Sequence, residues 1–176
     1  MPTPARRGDD MMTTTHSARA VAETVTDPEL PMLTLADLGV LREVREEDGK
    51  VVVSITPTYS GCPAMDAMRD DLVHALGEAG FAEVEVRTVL RPAWSSDWIT
   101  EEGHRKLAEA GIAPPGPVPR RSGPIPLTLS APVSRVRCPQ CGSADTVEVS
   151  RFSATACKAL RRCRACHEPF EHVKEI

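Results

Sequence analysis

The chain has 176 residues, of which 41% are hydrophobic, 26% are charged and only 3% are aromatic, with a formal net charge of −4. This length suits one medium domain or two small ones, and the apolar content excludes an intrinsically disordered protein. No long apolar run occurs near the start or elsewhere, so we expect no secretory signal and no membrane helix, and we predict a cytoplasmic protein whose residues 1–16 form a disordered tail. Without export, the six cysteines favour metal binding or thiol chemistry over disulfides.

The residues from 17 to 113 predict an α/β domain with the element order α-β-β-α-β-α. In chain order, the patterns predict a helix at 17–25, strands at 40–46 and 51–56, a helix at 63–79, a strand at 83–90 and a helix at 97–110. Asp48-Gly49 between the first two strands is a strong hairpin signal. The helix at 63–79 would then carry the chain over to a parallel third strand, which gives a three-stranded mixed sheet.

Cys62 lies at the predicted junction between the second strand and the second helix, in the stretch Pro57-Thr-Tyr-Ser-Gly-Cys-Pro-Ala64. Proline is favoured in the first turn of a helix, so Pro63 indicates that the helix begins just after Cys62. The free amides and the dipole of a helix start favour an anion, and we therefore expect the pKa of Cys62 to be lowered. A small residue that only fills the cap is the alternative interpretation.

Proline-rich and cysteine-rich segments follow this domain. Seven prolines fall between Pro114 and Pro132, which predicts a semi-rigid linker at 114–133 and a second module at 134–176. Two Cys-x-x-Cys pairs, about twenty residues apart, are typical of a structural zinc ribbon built from short strands, here with the ligands Cys138, Cys141, Cys163 and Cys166. Iron or an iron–sulfur cluster remains possible at such a thiolate tetrad. Cys157 is left over, either as a packed thiol or as an alternate ligand.

Two other motifs need an interpretation: the role of the tryptophan pair stays open, and a possible di-iron motif is incomplete. Trp94 and Trp98 could form a docking loop or could simply cover the sheet edge and the start of the last helix. The single Glu101-x-x-His104 unit falls short of the two units that a di-iron bundle requires.

Several of these residues together resemble a known family. Asp27-Pro-Glu29-Leu-Pro, Leu-Gly-Val40 and Thr56-Pro-Thr-x-x-Gly-Cys62-Pro resemble the iron–sulfur assembly domain of metal–sulfur cluster biosynthetic proteins. Pro92-Ala-Trp-Ser-Ser-Asp-Trp-Ile-Thr100, the segment from Lys106 to Pro115 and the two cysteine pairs are similar to the PaaD family of bacterial phenylacetyl-CoA epoxidase systems. The resemblance covers nearly the whole chain.

The resemblance implies an accessory role in aerobic phenylacetate breakdown, assisting the iron or iron–sulfur maturation of oxygenase or reductase subunits. A thiol enzyme with Cys62 as nucleophile is another interpretation, but no local motif supplies the base that it needs. It places the reactive cysteine of the family at Cys62 and its acidic loop at Asp27 and Glu29, which could hold iron or a cluster transiently. It also implies the other epoxidase subunits as partners. The alternative is a zinc-ribbon adaptor for protein or nucleic acid without metal transfer; the acidic first domain, with twice as many acidic as basic side chains, disfavours nucleic acid. We expect a chelator to unfold the ribbon and to leave the first domain folded.

Overall fold

A computed structural model of the chain describes residues 17–47, 49–59, 61–118 and 136–176. The predicted tail at 1–16, Asp48 of the hairpin and most of the predicted linker lie outside the described residues. The first module contains, in chain order, α1 (Ala18–Ala22), β1 (Leu41–Glu47), β2 (Lys50–Ile55), α2 (Ala64–Glu78), β3 (Glu83–Thr88) and α3 (Glu101–Glu109). This confirms the predicted α-β-β-α-β-α order.

The first module is built on a three-stranded mixed sheet with β2 at its centre. β1 pairs with β2 in antiparallel register, with Glu47 opposite Lys50, and Gly49 between them has a φ of 82°, which glycine adopts without steric cost. β3 pairs with β2 in parallel, as the crossover through α2 predicts. The carboxyl ends of β2 and β3 therefore lie at the same edge of the sheet, where the Cys62 loop begins.

Aliphatic side chains from the sheet and the helices form the main core. Alternate residues of β2 face this core, and α2 turns every fourth residue towards it, because a helix brings positions i and i+4 to the same face. The buried residues of these two elements are Val51, Val53, Ile55, Ala64, Met68, Leu72 and Leu76. Packing against this core holds α2, and with it the Cys62 loop, in place over the sheet.

The last helix of the first module differs from its prediction. A single 3-10 turn covers Ser96–Trp98, and α3 begins only after Thr100, whereas the pattern predicts one helix over 97–110. Thr100 has extended backbone dihedrals, and its hydroxyl accepts a hydrogen bond from the amide of Gly103 at 3.0 Å. This side chain caps α3 and thereby separates it from the turn before it.

The second module is a three-stranded antiparallel sheet. Its strands are β4 (Thr146–Ser150), β5 (Lys158–Cys163) and β6 (Pro169–Val173), with β5 in the centre. They agree with the short strands that the ribbon motif predicts. One cysteine pair lies in the turn before β4. The other lies at the end of β5 and in the turn that leads to β6.

The ribbon packs directly against the first module. Val173 of β6 is 3% exposed and belongs to the main core, and residues 113 and 172 form a parallel bridge between the modules. The amide of Ser96 donates a hydrogen bond to the carbonyl of Ile176 at 3.0 Å. These contacts bring the β5–β6 end of the ribbon to the edge of the first module.

Among the residues that the structure describes, none of the helices has both the length and the apolar character needed to cross a bilayer.

Candidate functional site

Cys62 follows a glycine turn at the end of β2 and precedes the first turn of α2. Gly61 has a φ of 83°, a conformation that L-residues rarely adopt, so this position requires glycine to turn the chain. Pro63 occupies the N-cap of α2 and offers no side-chain cap, which places Cys62 one residue before the cap. The thiol is half-buried and packs against the main core.

Asp27 and Glu29 belong to a loop that its own hydrogen bonds hold closed. Asp27 is 5% exposed, and its Oδ1 accepts hydrogen bonds from the amides of Glu29 and Leu30, both at 2.8 Å. Burial nevertheless raises the pKa of Asp27 above its usual value, against the opposing effect of these two amides. Burial also raises the pKa of Glu29, and the neighbouring charge of Asp27 adds to the effect.

The structure places this acidic loop next to Cys62. Burial raises the pKa of the Cys62 thiol; the amide of Ala64 opposes this, and the carboxylates of Glu29 and Asp27 raise it further. The expectation of a lowered pKa is therefore wrong. The helix start does donate a hydrogen bond to the sulfur, but desolvation and two nearby carboxylates disfavour the thiolate more strongly. The thiol of Cys62 therefore stays protonated unless a cation binds next to it.

Three further side chains face the same site, and the sequence patterns do not assign them to it. Tyr59 lies near Cys62, and burial together with the charges of Cys62, Glu29 and Cys157 raises the pKa of its hydroxyl. Cys157 comes from the ribbon, where its Sγ lies 3.0 Å from the hydroxyl of Thr155. The next residue, Lys158, is 4% exposed and forms an ion pair with Glu171 at 2.8 Å.

These three residues were missed for different reasons. Tyr59 lies within the motif around Cys62, but nothing in its spacing indicates that its hydroxyl turns to the thiol. Cys157 and Lys158 reach the site only through the packing of the ribbon against the first module, which no local pattern predicts.

A small cavity lies beside the Cys62 loop. Its volume is about 260 Å³, and its lining includes Thr56, Tyr59, Leu90, Trp94 and Ile176. Leu90 and Ile176 are 64% and 40% exposed, which is unusual for large apolar side chains. The cavity thus joins apolar surface from both modules next to the candidate site.

The two tryptophans of the chain serve mainly to pack the first module. Trp94 is 5% exposed, and its indole Nε1 donates a hydrogen bond to the carbonyl of Leu38 at 2.9 Å. The guanidinium of Arg42 lies 3.7 Å from the ring centroid of Trp98. This arrangement favours the covering role over the docking loop.

Four cysteines of the ribbon form a compact cluster. Cys138, Cys141, Cys163 and Cys166 have their sulfur atoms within 4.8 Å of one another, and within the described ranges they are the only group of three or more His, Cys, Asp and Glu side chains so arranged. The Sγ atoms of Cys138 and Cys166 are 3.7 Å apart, and those of Cys141 and Cys163 are 3.6 Å apart. Tetrahedral zinc with Zn–S bonds of about 2.3 Å separates its sulfur ligands by about 3.8 Å, so the cluster fits this metal.

The protonation of the cluster also points to a cation. The amide of Cys166 lowers the pKa of Cys163 to about 7. The pKa of Cys166 is raised to about 12: the amide of Glu168 lowers it, but the neighbouring sulfur of Cys141, burial and the other two sulfurs together outweigh that effect. Four thiolates so close together need a positive charge between them.

Comparisons with known proteins agree with the two-part structure. Residues 17–89 match the family description "Iron-sulfur cluster assembly protein", and residues 123–174 match "PaaD zinc beta ribbon domain". A protein of Escherichia coli (strain K12), named as the putative D component of 1,2-phenylacetyl-CoA epoxidase, is 40% identical over 92% of this chain and 93% of its own length.

Two further relatives cover about half of this chain. A "Fe-S protein maturation auxiliary factor" of Porphyromonas gingivalis (strain ATCC BAA-308 / W83) is 30% identical over 56% of this chain and 95% of its own length. The crystal structure of a domain of unknown function, DUF59, from Bacillus anthracis is 29% identical, covers 51% of this chain and 87% of its own, and superposes with a TM-score of 0.47. The match to the Escherichia coli protein runs through both modules, and the chain therefore belongs to the PaaD family, in which an iron–sulfur cluster assembly domain is joined to a zinc beta ribbon.

Proposed function

We propose that this protein is an accessory component of a phenylacetyl-CoA epoxidase system and assists the maturation of iron or iron–sulfur centres in its oxygenase or reductase subunits. The observation that carries the proposal is the meeting of Cys62 with Asp27 and Glu29, in a chain that is 40% identical to a protein named as a component of that epoxidase. The name of the Porphyromonas gingivalis relative, a "Fe-S protein maturation auxiliary factor", supports the same role.

The chemistry of this group of side chains suits a metal that is held and then released. A thiolate and carboxylates together bind iron without the closed, all-sulfur shell of a structural site. The raised pKa of Cys62 means that metal binding must displace a proton, so affinity falls as pH falls. Such a site would hold iron more loosely than a preformed thiolate cluster does.

The ribbon, in this proposal, binds one zinc ion through Cys138, Cys141, Cys163 and Cys166, and the zinc stabilises the fold of the ribbon. Zinc is proposed rather than iron because the residues match a zinc-ribbon description. The sulfur spacings fit a single tetrahedral metal ion. The proposed division is a tail at 1–16, an assembly domain at 17–113, a linker at 114–133 and the ribbon at 134–176. The assembly-domain match, which begins at residue 17, supports the first boundary, whereas the ribbon match begins at residue 123, inside the proposed linker.

Contact with the other epoxidase subunits would use the apolar surface beside the site. The exposed side chains of Leu90 and Ile176 line the cavity next to the Cys62 loop. A partner that packs there would bring its own metal site close to Cys62.

The test is to produce the oxygenase and reductase subunits with the wild-type protein, with Cys62→Ser or without this protein. We expect lower iron content and a slower epoxidation rate in the last two cases, because the client subunits would lack the thiol that delivers the metal. Glu83→Gln is the matched control, since Glu83 is an exposed carboxylate at the start of β3, the opposite end of the sheet from Cys62. Client subunits that are fully loaded and fully active without this protein would exclude the maturation role.

A further inference from the structure

Cys157 is a thiol that the proposed function does not use. All six cysteines lie in the described residues, and Cys157 belongs neither to the sulfur cluster of the ribbon nor to the loop of Cys62. It is half-buried immediately before β5, and its carbonyl accepts a hydrogen bond from the amide of Lys174 at 3.0 Å. A cysteine with no part in the zinc site is therefore held at the end of the ribbon sheet.

The packing of the modules places this end of the ribbon at the candidate site. Lys158 pairs with Val173, and Val173 belongs to the core against which Cys62 packs. Three residues further on, Ile176 lines the same cavity as Tyr59 of the Cys62 loop. The C-terminal segment that bonds to Cys157 and the loop that holds Tyr59 therefore meet at the junction of the two modules.

The charges at this junction form one connected group. The charge of Glu29 acts on both thiols, Cys62 and Cys157, and the charge of Cys157 acts in turn on Cys62. The charges of Glu29, Cys62 and Cys157 also raise the pKa of Tyr59. The ammonium of Lys158 acts on the carboxylates of Asp27 and Glu29 from the ribbon side.

We propose that Cys157 and Cys62 are two thiolate ligands of a single metal site, with Glu29 as its carboxylate ligand, so that the ribbon completes the site of the first module. The proposal rests on the proposed function, because the metal would be the iron that is carried. Binding releases the protons of both thiols to solvent, with no change in oxidation state. A divalent ion then balances the charges of the two thiolates, and the ammonium of Lys158, which also pairs with Glu171, acts on Glu29 from the ribbon side.

The proposed site is not preformed and would assemble only when metal binds. Among the described residues, only the four cysteines of the ribbon have their ligand atoms within 4.8 Å of one another. The side chains of Cys62, Cys157 and Glu29 must therefore rotate before they can bind the same ion. The same features make the site distinct from the preformed cluster.

The experiment is a titration of the zinc-loaded full chain with cobalt(II) under anaerobic conditions. Zinc binds thiolates more tightly than cobalt does, so the ribbon keeps its zinc and added cobalt reports a second site. Sulfur-to-cobalt charge-transfer absorption reports the number of thiolate ligands. We expect wild type to bind one cobalt ion with thiolate absorption.

Variants of Cys157 separate a ligand from a packed thiol. Cys157→Ala should weaken cobalt binding by at least about tenfold and reduce the charge-transfer absorption per bound ion. Cys157→His should restore much of the affinity, because imidazole is also a ligand, while the absorption stays below that of wild type. Zinc content must remain at one per chain in each variant, which shows that the ribbon is folded.

Cys62→Ser and Val149→Ser complete the set. Cys62→Ser should weaken cobalt binding as strongly as Cys157→Ala, whereas Val149→Ser should bind as wild type, since Val149 is a 59% exposed residue of β4 outside the site. If only Cys62→Ser weakens binding, the role of Cys157 is excluded and the proposed function stands. If wild type binds no second metal, or if neither cysteine variant changes binding, both the role of Cys157 and the metal site at Cys62 are excluded.

Discussion

At the scale of single residues, Cys62 receives two opposite influences. The amide of Ala64 at the start of α2 stabilises its thiolate, whereas burial and the carboxylates of Glu29 and Asp27 stabilise the neutral thiol. Burial and the two carboxylates have the stronger effect, so the thiol of Cys62 is protonated at neutral pH. A metal ion reverses this balance, because its charge favours the thiolate and neutralises the carboxylates.

Alkylation of Cys62 against pH should show this balance directly. In the zinc-loaded protein, we expect the midpoint to lie above the value of a free thiol, because burial and the neighbouring carboxylates raise the pKa of Cys62. Glu29→Gln should lower the midpoint by removing a negative charge next to the thiolate. The modified peptide, identified by mass spectrometry, separates Cys62 from Cys157.

Glu83→Gln, which removes a carboxylate at the far end of β2 and β3, should leave the midpoint unchanged. A midpoint below the ordinary value would mean that the start of α2 outweighs burial after all.

At the scale of secondary-structure elements, α3 depends on how closely it approaches the loop of Asp37. Lys106 of α3 forms an ion pair with Asp37 at 2.7 Å, and the amide of Thr100 donates to the Asp37 carbonyl. A Cβ atom on Gly103 would lie 2.9 Å from that same carbonyl and 2.9 Å from Ile99 Cγ2. The glycine is therefore needed for packing, although glycine is a poor helix former.

Two glycine-to-alanine substitutions should consequently have opposite effects on stability. Gly103→Ala should destabilise the protein by about 1–3 kcal/mol, because the new methyl group meets backbone that cannot easily move. Gly77→Ala in α2 should stabilise it by about 0.5–1 kcal/mol, since no atom lies within 4 Å of the added Cβ. Urea unfolding followed by tryptophan fluorescence measures both, and a stabilising Gly103→Ala would contradict the close approach of α3.

At the scale of the whole molecule, the ribbon belongs to the core of the first module as well as to its own. Val173 packs in the main core, and the amide of Ser96 bonds to the carbonyl of Ile176. This coupling adds to the expectation that a chelator would unfold the ribbon and leave the first domain folded: the first domain should remain folded but become less stable. Loss of the ribbon fold would remove Val173, whose burial contributes about 1.5–3 kcal/mol.

Zinc removal should therefore lower the melting temperature of the first module by roughly 5–15 °C rather than leave it unchanged. Both tryptophans of the chain lie in the first module, so thermal unfolding followed by their fluorescence, with and without a chelator, reports this module alone. Val173→Ala in the zinc-loaded protein should lower the same transition. An unchanged fluorescence transition after complete zinc removal would show that the modules are energetically independent.

The sequence alone was sufficient for the features that depend on local patterns. Hydrophobic periodicity, the Asp48-Gly49 turn and the prolines around Cys62 are short-range signals, and they predicted the six elements of the first module and the parallel crossover. The spacing of the two Cys-x-x-Cys pairs likewise predicted the sulfur cluster, because each pair needs only its own turn to present two thiolates. The break before α3 was missed, since a threonine cap competes with a continuing helical pattern only through its side-chain hydrogen bond.

Only the tertiary structure decided what surrounds Cys62. Its pKa is raised because desolvation and the carboxylates of Glu29 and Asp27 act together, and both depend on how distant segments pack. Cys157 and Lys158 join the site for the same reason, although nearly a hundred residues separate them from Cys62 in the sequence. Local patterns report the residues that a segment contains, whereas burial and charge at a site depend on what the rest of the chain places around it.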